Sequence, residues 1–308
     1  GASPSFVGAG AVPGGWGPAT VLYRRTAGAR TDNLAAMRAR VVALNPEIAD
    51  LPFVGAWRPE PFGYSAQQVL ETDDPEALRL ELLGQDLSGG VITGLLAEAP
   101  ARLVLMDVDS TLTTTEAVDL LAEHAGTGPQ VAAITERAMR GELDFEASLR
   151  ERVGTLAGLP AHVLDEVYPH MTLSAGARSL IETLHDAGLK VGVTSGGFTP
   201  LVVRLADELN LDFCNANDLE IRDGALTGRV AGSVVDRAQK ARDLARFAAS
   251  VGAPVELAVA VGDGANDLGM LATAGLGVAY CAKPMTAAQA DAVISFPRLD
   301  AVARLAVP

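Results

Sequence analysis

Cysteine, aromatic residues and long hydrophobic runs are all scarce in this sequence of 308 residues. The two cysteines, Cys214 and Cys281, are too few for a disulfide framework, and we expect both to be buried, reduced thiols. No apolar run approaches the roughly 20 residues that a membrane-spanning helix needs, so we expect no membrane partner. The first residues, Gly1 to Pro4, lack the basic-then-apolar layout of a signal peptide, and we therefore expect a cytoplasmic protein.

Positive charge is also in deficit. Lysine and arginine together number 24 against 38 aspartates and glutamates, which gives a formal net charge of −14. This balance argues against a nucleic-acid partner, because phosphate backbones select basic protein faces. An anionic substrate would need a locally positive site that a metal ion, a lysine or an arginine supplies. The four histidines show no metal-ligand spacing.

The pattern of the first hundred residues differs from that of the rest. Residues 1–17 are rich in glycine, proline and alanine, and we expect a disordered tail there. Residues 18–98 predict a small α+β domain. Its predicted elements are a strand over 19–23, a helix over 32–44, a proline-punctuated loop, a strand around 66–70, a helix opened by Asp74 and Pro75, and a strand over 90–93.

From residue 99 onward, apolar runs alternate with helical segments, which predicts an α/β domain with a doubly wound parallel sheet. The runs lie at 103–108, 190–194, 212–214, 257–261 and 276–280. No strand candidate lies between about 116 and 170, and the insertion spans about 116–172. Instead, four helices are predicted near 116–125, 129–140, 144–157 and 160–168. An all-helical insertion directly after the first strand suggests a cap over a site at the end of that strand.

Two aspartates one residue apart, Asp107 and Asp109, follow the first apolar run. Carboxylates at positions i and i+2 of an extended segment point the same way, so both acids would share one small site at the carboxyl end of the sheet. Such a pair is costly unless a cation or a proton neutralises it. The alternative is a strand that ends in a polar turn, with Asp109 and Ser110 capping a helix.

Three further segments carry polar residues at comparable places. Ser195-Gly196-Gly197 follows the strand over 190–194, where glycines and free N–H groups could hold an anion. Asp263, Asn266 and Asp267 follow the strand over 257–261 in a Gly-Asp-Gly-x-Asn-Asp sequence, and Lys240 lies on the helix before that strand. Taken singly, the serine and glycines could be a simple strand-to-helix turn and the lysine a solvated side chain.

In their order along the chain, with Lys240 before the Asp263 segment, the four segments resemble the four motifs of the haloacid dehalogenase (HAD) superfamily of phosphatases. Glu116, seven residues after Asp109, and the stretch from Met139 to Val153, with Phe145 and Arg152, are similar to the phosphoserine phosphatase family within it. The resemblance covers about residues 100–308. Residues 18–98 look like the ACT-type regulatory modules that precede the catalytic domain in some bacterial members.

The resemblance implies a role for each motif in the Mg²⁺-dependent hydrolysis of O-phospho-L-serine, the last step of serine biosynthesis. Asp107 would be the nucleophile that forms an aspartyl-phosphate, and Asp109 the general acid and then the general base. Mg²⁺ would be held by Asp107, Asp263 and the backbone carbonyl of Asp109. Asp267 would orient Lys240 or a water molecule bound to the metal. The groups that would bind the phosphoryl oxygens are Lys240, Ser195, the Gly196 N–H and Asn266.

The resemblance further implies that Glu116 pairs with the substrate ammonium, that Arg152 binds its carboxylate and that Phe145 shields the closed site from water. Without the resemblance, these residues would be a first-turn helix charge, a surface arginine and a core residue of the cap. ACT-type modules pair edge to edge, so we expect a homodimer with an amino-acid effector. Two alternatives remain: a related enzyme that acts on another small phosphate ester, and a catalytically silent amino-acid sensor.

Overall fold

A single mixed sheet organises the part of the chain that the computed structural model describes, residues 36–47, 56–84 and 87–308. The predicted tail over 1–17 and the predicted strand over 19–23 lie outside these residues. The strands are Met37–Asn45 (β1), Arg58–Glu60 (β2), Gly63–Thr72 (β3), Ser88–Ile92 (β4), Leu103–Met106 (β5), Lys190–Phe198 (β6), Phe213–Arg222 (β7), Ala225–Ala231 (β8), Ala258–Gly262 (β9), Leu276–Tyr280 (β10) and Ala292–Ile294 (β11).

Helices cover both faces of the sheet and form the insertion after β5. They are Pro75–Gly84 (α1), Ala117–His124 (α2), Gly128–Met139 (α3), Phe145–Gly154 (α4), Val163–Val167 (α5), Ala177–Asp186 (α6), Thr199–Leu209 (α7), Arg237–Ser250 (α8), Leu268–Thr273 (α9), Pro284–Ala287 (α10) and Val302–Ala306 (α11). None of the helices in the described ranges is long and apolar enough to cross a bilayer.

The centre of the sheet is parallel. The strand order is β2-β3-β1-β4-β11-β10-β9-β5-β6-β7-β8, and the six strands from β11 to β7 pair in parallel. Strand β5 lies in the middle, with β9 on one side and β6 on the other. The prediction of a doubly wound parallel α/β sheet is therefore confirmed. In such a sheet, the crevice beyond the carboxyl ends of the central strands is the usual place for a ligand.

Alternate side chains of β5 pack into two different cores, as expected for a strand that is buried on both faces. Val104 and Met106 join a core with α6, α7 and α11, whereas Leu103 and Leu105 join one with α8 and α9. A third core unites the helices α2 to α5 with the β7–β8 hairpin. That antiparallel hairpin, with bounds well beyond the predicted run at 212–214, was missed by the sequence interpretation.

The predicted helix over 32–44 is wrong, because Met37–Asn45 is strand β1. Six consecutive residues of β1, from Ala39 to Leu44, are buried, so this segment has no solvent-facing stripe of the kind that an amphipathic helix shows. Arg40 is among them, and its guanidinium donates to the carbonyls of Leu96, Arg304 and Leu305 at 2.8–3.3 Å. The predicted strand at 66–70 and the helix that Pro75 begins are confirmed.

The two cysteines differ in burial. Cys214, on β7, is partly buried, whereas Cys281 is exposed at the end of β10. The expectation that both thiols are buried is therefore wrong for Cys281. Its backbone has a positive φ of 43°, and its N–H donates to the Ile294 carbonyl at 2.7 Å.

Candidate active site

Asp107 is the first residue after the buried strand β5, and it is itself buried. Its backbone N–H continues the sheet by donating to the Val261 carbonyl at 2.9 Å. Its Oδ1 accepts from the Val108 N–H at 2.7 Å, which begins a tight turn over residues 108–112. Ser110 takes a positive φ of 57° in this turn. The turn directs the chain away from the sheet and leaves the Asp107 carboxylate at the end of the central strand.

Lys240 supplies a buried positive charge next to Asp107. Its Nζ lies 2.7 Å from Asp107 Oδ2 and 2.7 Å from Asp267 Oδ1, and its side chain has no exposed surface. Burial alone would lower the pKa of the lysine, but the two carboxylates outweigh it, so that the pKa is raised and the ammonium stays charged. The helix that carries it, α8, begins at an Asp236 cap that accepts from the Gln239 N–H at 2.7 Å.

The loop after β9 brings two more carboxylates to the same place. Asp267 Oδ2 accepts from the backbone N–H groups of Asp263 and Gly264 at 3.1 and 2.9 Å, which closes the loop on itself. Thr111 Oγ1 donates to Asp263 Oδ1 at 3.4 Å and ties this loop to the turn after β5. The ends of β5 and β9 and the helix α8 therefore converge around Asp107.

Carboxylate oxygens of Asp107, Asp263 and Asp267 lie within 4.8 Å of one another, so these residues could hold a metal ion. Burial, followed by repulsion from Asp267, raises the pKa of Asp107 well above its ordinary value and that of Asp263 to about 6. Three crowded carboxylates, with Asp107 and Asp267 buried and Asp263 partly exposed, offer the oxygen ligands that a hard divalent cation prefers. This set of side chains includes Asp267, which was not among the predicted ligands. It does not include Asp109, because Asp109 was predicted to bind the metal through its backbone carbonyl oxygen.

Asp109 and Ser195 border one small space beside the carboxylate cluster. A methyl group added to Gly197 would lie 3.0 Å from both Asp109 Oδ2 and Ser195 Oγ, so only a glycine leaves this space open. Asp109 Oδ1 accepts from the Ala117 N–H at 3.1 Å. Burial, followed by the neighbouring Glu116 charge, raises the pKa of Asp109 to about 7. A carboxyl group with that pKa can both donate and accept a proton near neutral pH.

The Ser195–Gly196 segment is held in place from the neighbouring strand. Ser195 is fully buried, and its Oγ accepts from the Gly197 N–H at 2.8 Å. Asn217 on β7 donates to the Gly196 carbonyl at 2.9 Å, and its own Oδ1 accepts from the Val235 N–H at 2.7 Å. Sequence interpretation missed Asn217, because its partners are identified only by the pairing of β6 with β7.

The helical insertion contributes Phe145 and Arg152, both from α4. Phe145 covers the glycine turn so closely that a Cβ at Gly196 would fall 2.7 Å from its Cζ. The Arg152 Nε is buried and has no hydrogen-bond partner among the described residues. Its charge lowers the pKa of Asp109 to some extent, which places the guanidinium near the site. A buried donor without a partner is rare in proteins, and a bound ligand is one way to satisfy it.

Glu116 and Asn266 complete the predicted set. Ser110 Oγ donates to Glu116 Oε1 at 3.0 Å, and the Glu116 charge raises the pKa of both Asp109 and Asp263, so this glutamate faces the site. Asn266 is half-buried in the loop after β9, where its side-chain oxygen lies beside Gly264. The structure therefore brings the predicted residues to one crevice, with Asn266 turned to its own loop.

Residues 104–272, which run from β5 to α9, match the family described as haloacid dehalogenase-like hydrolase. The chain belongs to this family. Every site residue of this HAD-like hydrolase, from Asp107 to Asp267, lies within the matched stretch.

The HAD-like hydrolase is also similar to individual proteins. A phosphoserine phosphatase of Streptomyces coelicolor is 54% identical over 220 residues, which are 71% of this chain and 53% of that protein. One of Streptococcus thermophilus is 51% identical over 197 residues, 64% of this chain and 92% of that protein. The crystal structure of a probable phosphoserine phosphatase from Vibrio cholerae, in its unliganded form, is 41% identical with a TM-score of 0.65, and the match covers 79% of this chain and 75% of that one. The chain spans about half the length of some curated relatives that it matches.

Proposed function

We propose that this HAD-like hydrolase removes phosphate from O-phospho-L-serine in a Mg²⁺-dependent reaction that passes through an aspartyl-phosphate on Asp107. The observation that carries the proposal is the position of the Asp107 carboxylate, buried at the end of the central strand and 2.7 Å from the Lys240 ammonium. Similarity to phosphoserine phosphatases at about half of the aligned positions supports the choice of substrate.

In the first step, a carboxylate oxygen of Asp107 attacks phosphorus, and the bond from phosphorus to the serine oxygen breaks. Asp109 gives its proton to the departing serine oxygen, which its raised pKa of about 7 allows. In the second step, Asp109 takes a proton from the water that attacks the phosphorus of the aspartyl-phosphate. Phosphate leaves, and both carboxyl groups return to their starting states.

The other groups neutralise and position the phosphoryl group, which is the main requirement of such a reaction. Lys240 offsets negative charge at Asp107 and, with the Ser195 hydroxyl and the Gly196 N–H, would bind phosphoryl oxygens. Asn266, whose side-chain oxygen lies beside Gly264, would assist through its amide N–H. The cluster of Asp107, Asp263 and Asp267 fits a divalent cation. Asp107, Asp263 and the Asp109 carbonyl would hold it, and Asp267, which accepts from Lys240, would orient that lysine. A bound Mg²⁺ would supply positive charge that lets an ionised Asp107 and a phosphate dianion approach each other.

Recognition of the serine part rests on the cap side of the site. The unpartnered Arg152 Nε would donate to the substrate carboxylate, and Glu116 would accept from its ammonium. Phe145, packed over Gly196, would exclude water while the aspartyl-phosphate exists. Arg152 and Glu116 would therefore separate phosphoserine from other phosphate esters, whereas Phe145 and the strand-end residues would serve any of them.

A substrate comparison tests this division. Arg152→Ala should lower kcat/KM for phosphoserine about 100-fold, in the range for truncating one partner of a buried charge pair, and should change p-nitrophenyl phosphate hydrolysis far less. Arg150→Ala is the matched control, because Arg150 lies on the same helix but pairs with the exposed Glu146. Equal losses on both substrates would instead favour a related phosphatase or phosphotransferase for another small ester.

We further propose that residues 18–98 form an ACT-like module that binds an amino-acid effector and pairs with a second copy to give a homodimer. Within the described part of this segment, the strand order β2-β3-β1-β4, antiparallel throughout with α1 between β3 and β4, supports the proposal. Mass measurement in solution and titration with L-serine test it. A monomer that shows no heat of binding would contradict both parts.

A further inference from the structure

A second buried carboxylate, Asp243, lies close to the site without touching the carboxylate cluster. It is on α8, one turn after Lys240, and it has no exposed surface. Its Oδ2 accepts from Thr194 Oγ1 at 2.7 Å and from Asn215 Nδ2 at 2.6 Å. Its Oδ1 accepts from Gln239 Nε2 at 2.9 Å and from Arg246 Nη2 at 3.1 Å.

The donors to Asp243 connect it to the segments that carry the site. Thr194 directly precedes Ser195 on β6. Asn215 lies on β7, two residues before the Asn217 that holds the Gly196 carbonyl. One carboxylate therefore joins the strand that carries Ser195, the strand that supports Gly196 and the helix that carries Lys240.

The hydrogen bonds from Thr194 and Asn215 to Asp243 restrict the position of α8. The Thr194 hydroxyl is fully buried and the Asn215 amide is partly buried, so leaving either donor without an acceptor would cost free energy, most of all at Thr194. Both bond to the same oxygen, so α8 cannot shift along the sheet without losing one of them. The position of Lys240 relative to Ser195 thus depends on Asp243.

We propose that Asp243 is a positioning residue for phosphoryl transfer, which fixes the helix of Lys240 against the strand of Ser195 by accepting from Thr194 and Asn215. Asp243 does not contact the reacting atoms and acts through those two residues. The inference rests on the proposed function, because Lys240 and Ser195 matter to the assay only if they bind a phosphoryl group.

Three variants separate hydrogen bonding from charge and from packing. Asp243→Asn keeps an amide oxygen that can accept from both Thr194 and Asn215. It loses the acceptor for Gln239 and Arg246, and the Arg246 side chain is 59% exposed and can turn to water. Asp243→Leu fills a similar volume but accepts no hydrogen bond. Thr194→Val removes one of the two donors with little change in shape, and it stays informative if the leucine variant folds poorly.

We expect Asp243→Leu to lower kcat for phosphoserine by roughly 10- to 100-fold, the order that a misplacement of about 1 Å in a site costs. Thr194→Val should lower kcat less, and Asp243→Asn should retain most of the wild-type value. Orthovanadate, which mimics the transferring phosphoryl group, should bind more weakly in proportion to the loss of kcat/KM. Inhibition by L-serine, which has no phosphoryl group, should not change.

Asp212→Asn is the matched control for general damage to the same strands. Asp212 accepts from Lys190 Nζ and the Val191 N–H at the opposite, amino end of β6, away from the site. Its replacement should lower the melting temperature without changing the vanadate inhibition constant. An effect on vanadate as large as that of Asp243→Leu would show that strand stability alone is responsible, and would overturn the proposal.

The kcat values of the Asp243 and Thr194 variants also test the proposal. If Asp243→Asn is as impaired as Asp243→Leu, accepting from Thr194 and Asn215 is not sufficient, and positioning through these two hydrogen bonds is refuted. Wild-type kcat in Asp243→Leu and Thr194→Val would refute any positioning role. Lys240 and Ser195 would bind the phosphoryl group of any phosphate monoester. The same variants are therefore also measured with p-nitrophenyl phosphate. A wild-type protein that cleaves only that ester refutes the proposed substrate but leaves the Asp243 test intact.

Discussion

Replacing Lys240 by methionine should destabilise the folded protein strongly, because it would leave two buried carboxylates without their cation. The Nζ of Lys240 lies 2.7 Å from both Asp107 and Asp267, and all three side chains are at least 95% buried. Methionine has a similar length and no charge, so the substitution removes the ammonium with little change in packing.

The expected magnitude follows from this burial. Removing one partner of a buried ion pair costs about 3–5 kcal/mol, because the other charge stays buried and uncompensated. At about 2–4 °C per kcal/mol for a domain of this size, the melting temperature should fall by roughly 10 °C at pH 7.5. The loss should shrink at pH 5. The reason is that Lys240 lowers the pKa of Asp107, so that without the lysine the folded protein binds a proton more tightly and gains stability as the pH falls.

Thermal unfolding of wild type and Lys240→Met at both pH values, without divalent metal, provides the assay. Lys190→Met is the matched control, because Lys190 Nζ lies 2.6 Å from Asp212 but its side chain is 52% exposed. That surface pair should contribute at most about 1 kcal/mol. If both variants lose the same small amount, or if the Lys240→Met deficit is equal at pH 5 and 7.5, the assignment of Lys240 as the counter-ion of the cluster is refuted.

Three shorter predictions follow from other contacts. Burial raises the pKa of Asp263 to about 6, so the metal-free protein should lose stability as the pH rises from about 4 to 7, by about 1.4 kcal/mol per unit of raised pKa. Mg²⁺ should therefore raise the melting temperature more at pH 7.5 than at pH 5, and equal shifts would contradict the metal site. Gly196→Ala should reduce kcat/KM because its Cβ would meet Phe145. The double variant Gly196→Ala/Phe145→Ala should lose no more activity than Phe145→Ala alone, since the clash is then gone. Arg40→Met should cost about 2 kcal/mol in chemical unfolding by leaving three carbonyls unpaired, whereas Arg38→Met at an exposed position of the same strand should be neutral.

The sequence predicted the central sheet well because buried parallel strands leave a strong local signal. The run at 276–280 coincides with β10, and Asp107 stands directly after β5 as the apolar run suggests. Strand β1 was mistaken for a helix, since Met37, Val41 and Leu44 also fit a helical spacing. Only its pairing with β3 and β4, both distant in sequence, decides the conformation.

The residues that hold the site residues in place could not be predicted from the sequence. Asn217 holds Gly196 from 21 residues away, and Asp243 binds Thr194 from 49 residues away. Neither belongs to a local pattern, because strand pairing and helix packing bring them to their partners. The residues proposed to react were easier to predict from the sequence. Ligand sites in such sheets lie at the carboxyl ends of strands, so carboxylates and glycines that directly follow apolar runs form a local pattern.

The most direct test of the account is phosphate release from O-phospho-L-serine by the wild-type protein and by Asp107→Asn, each assayed with EDTA and then with added Mg²⁺. Asp107→Asn keeps the shape of the side chain but has a far weaker nucleophile. We expect rapid release by the wild type that starts only when Mg²⁺ is added, and none above background by the variant. Release by Asp107→Asn at the wild-type rate, or no Mg²⁺-dependent release by folded wild type, would contradict it.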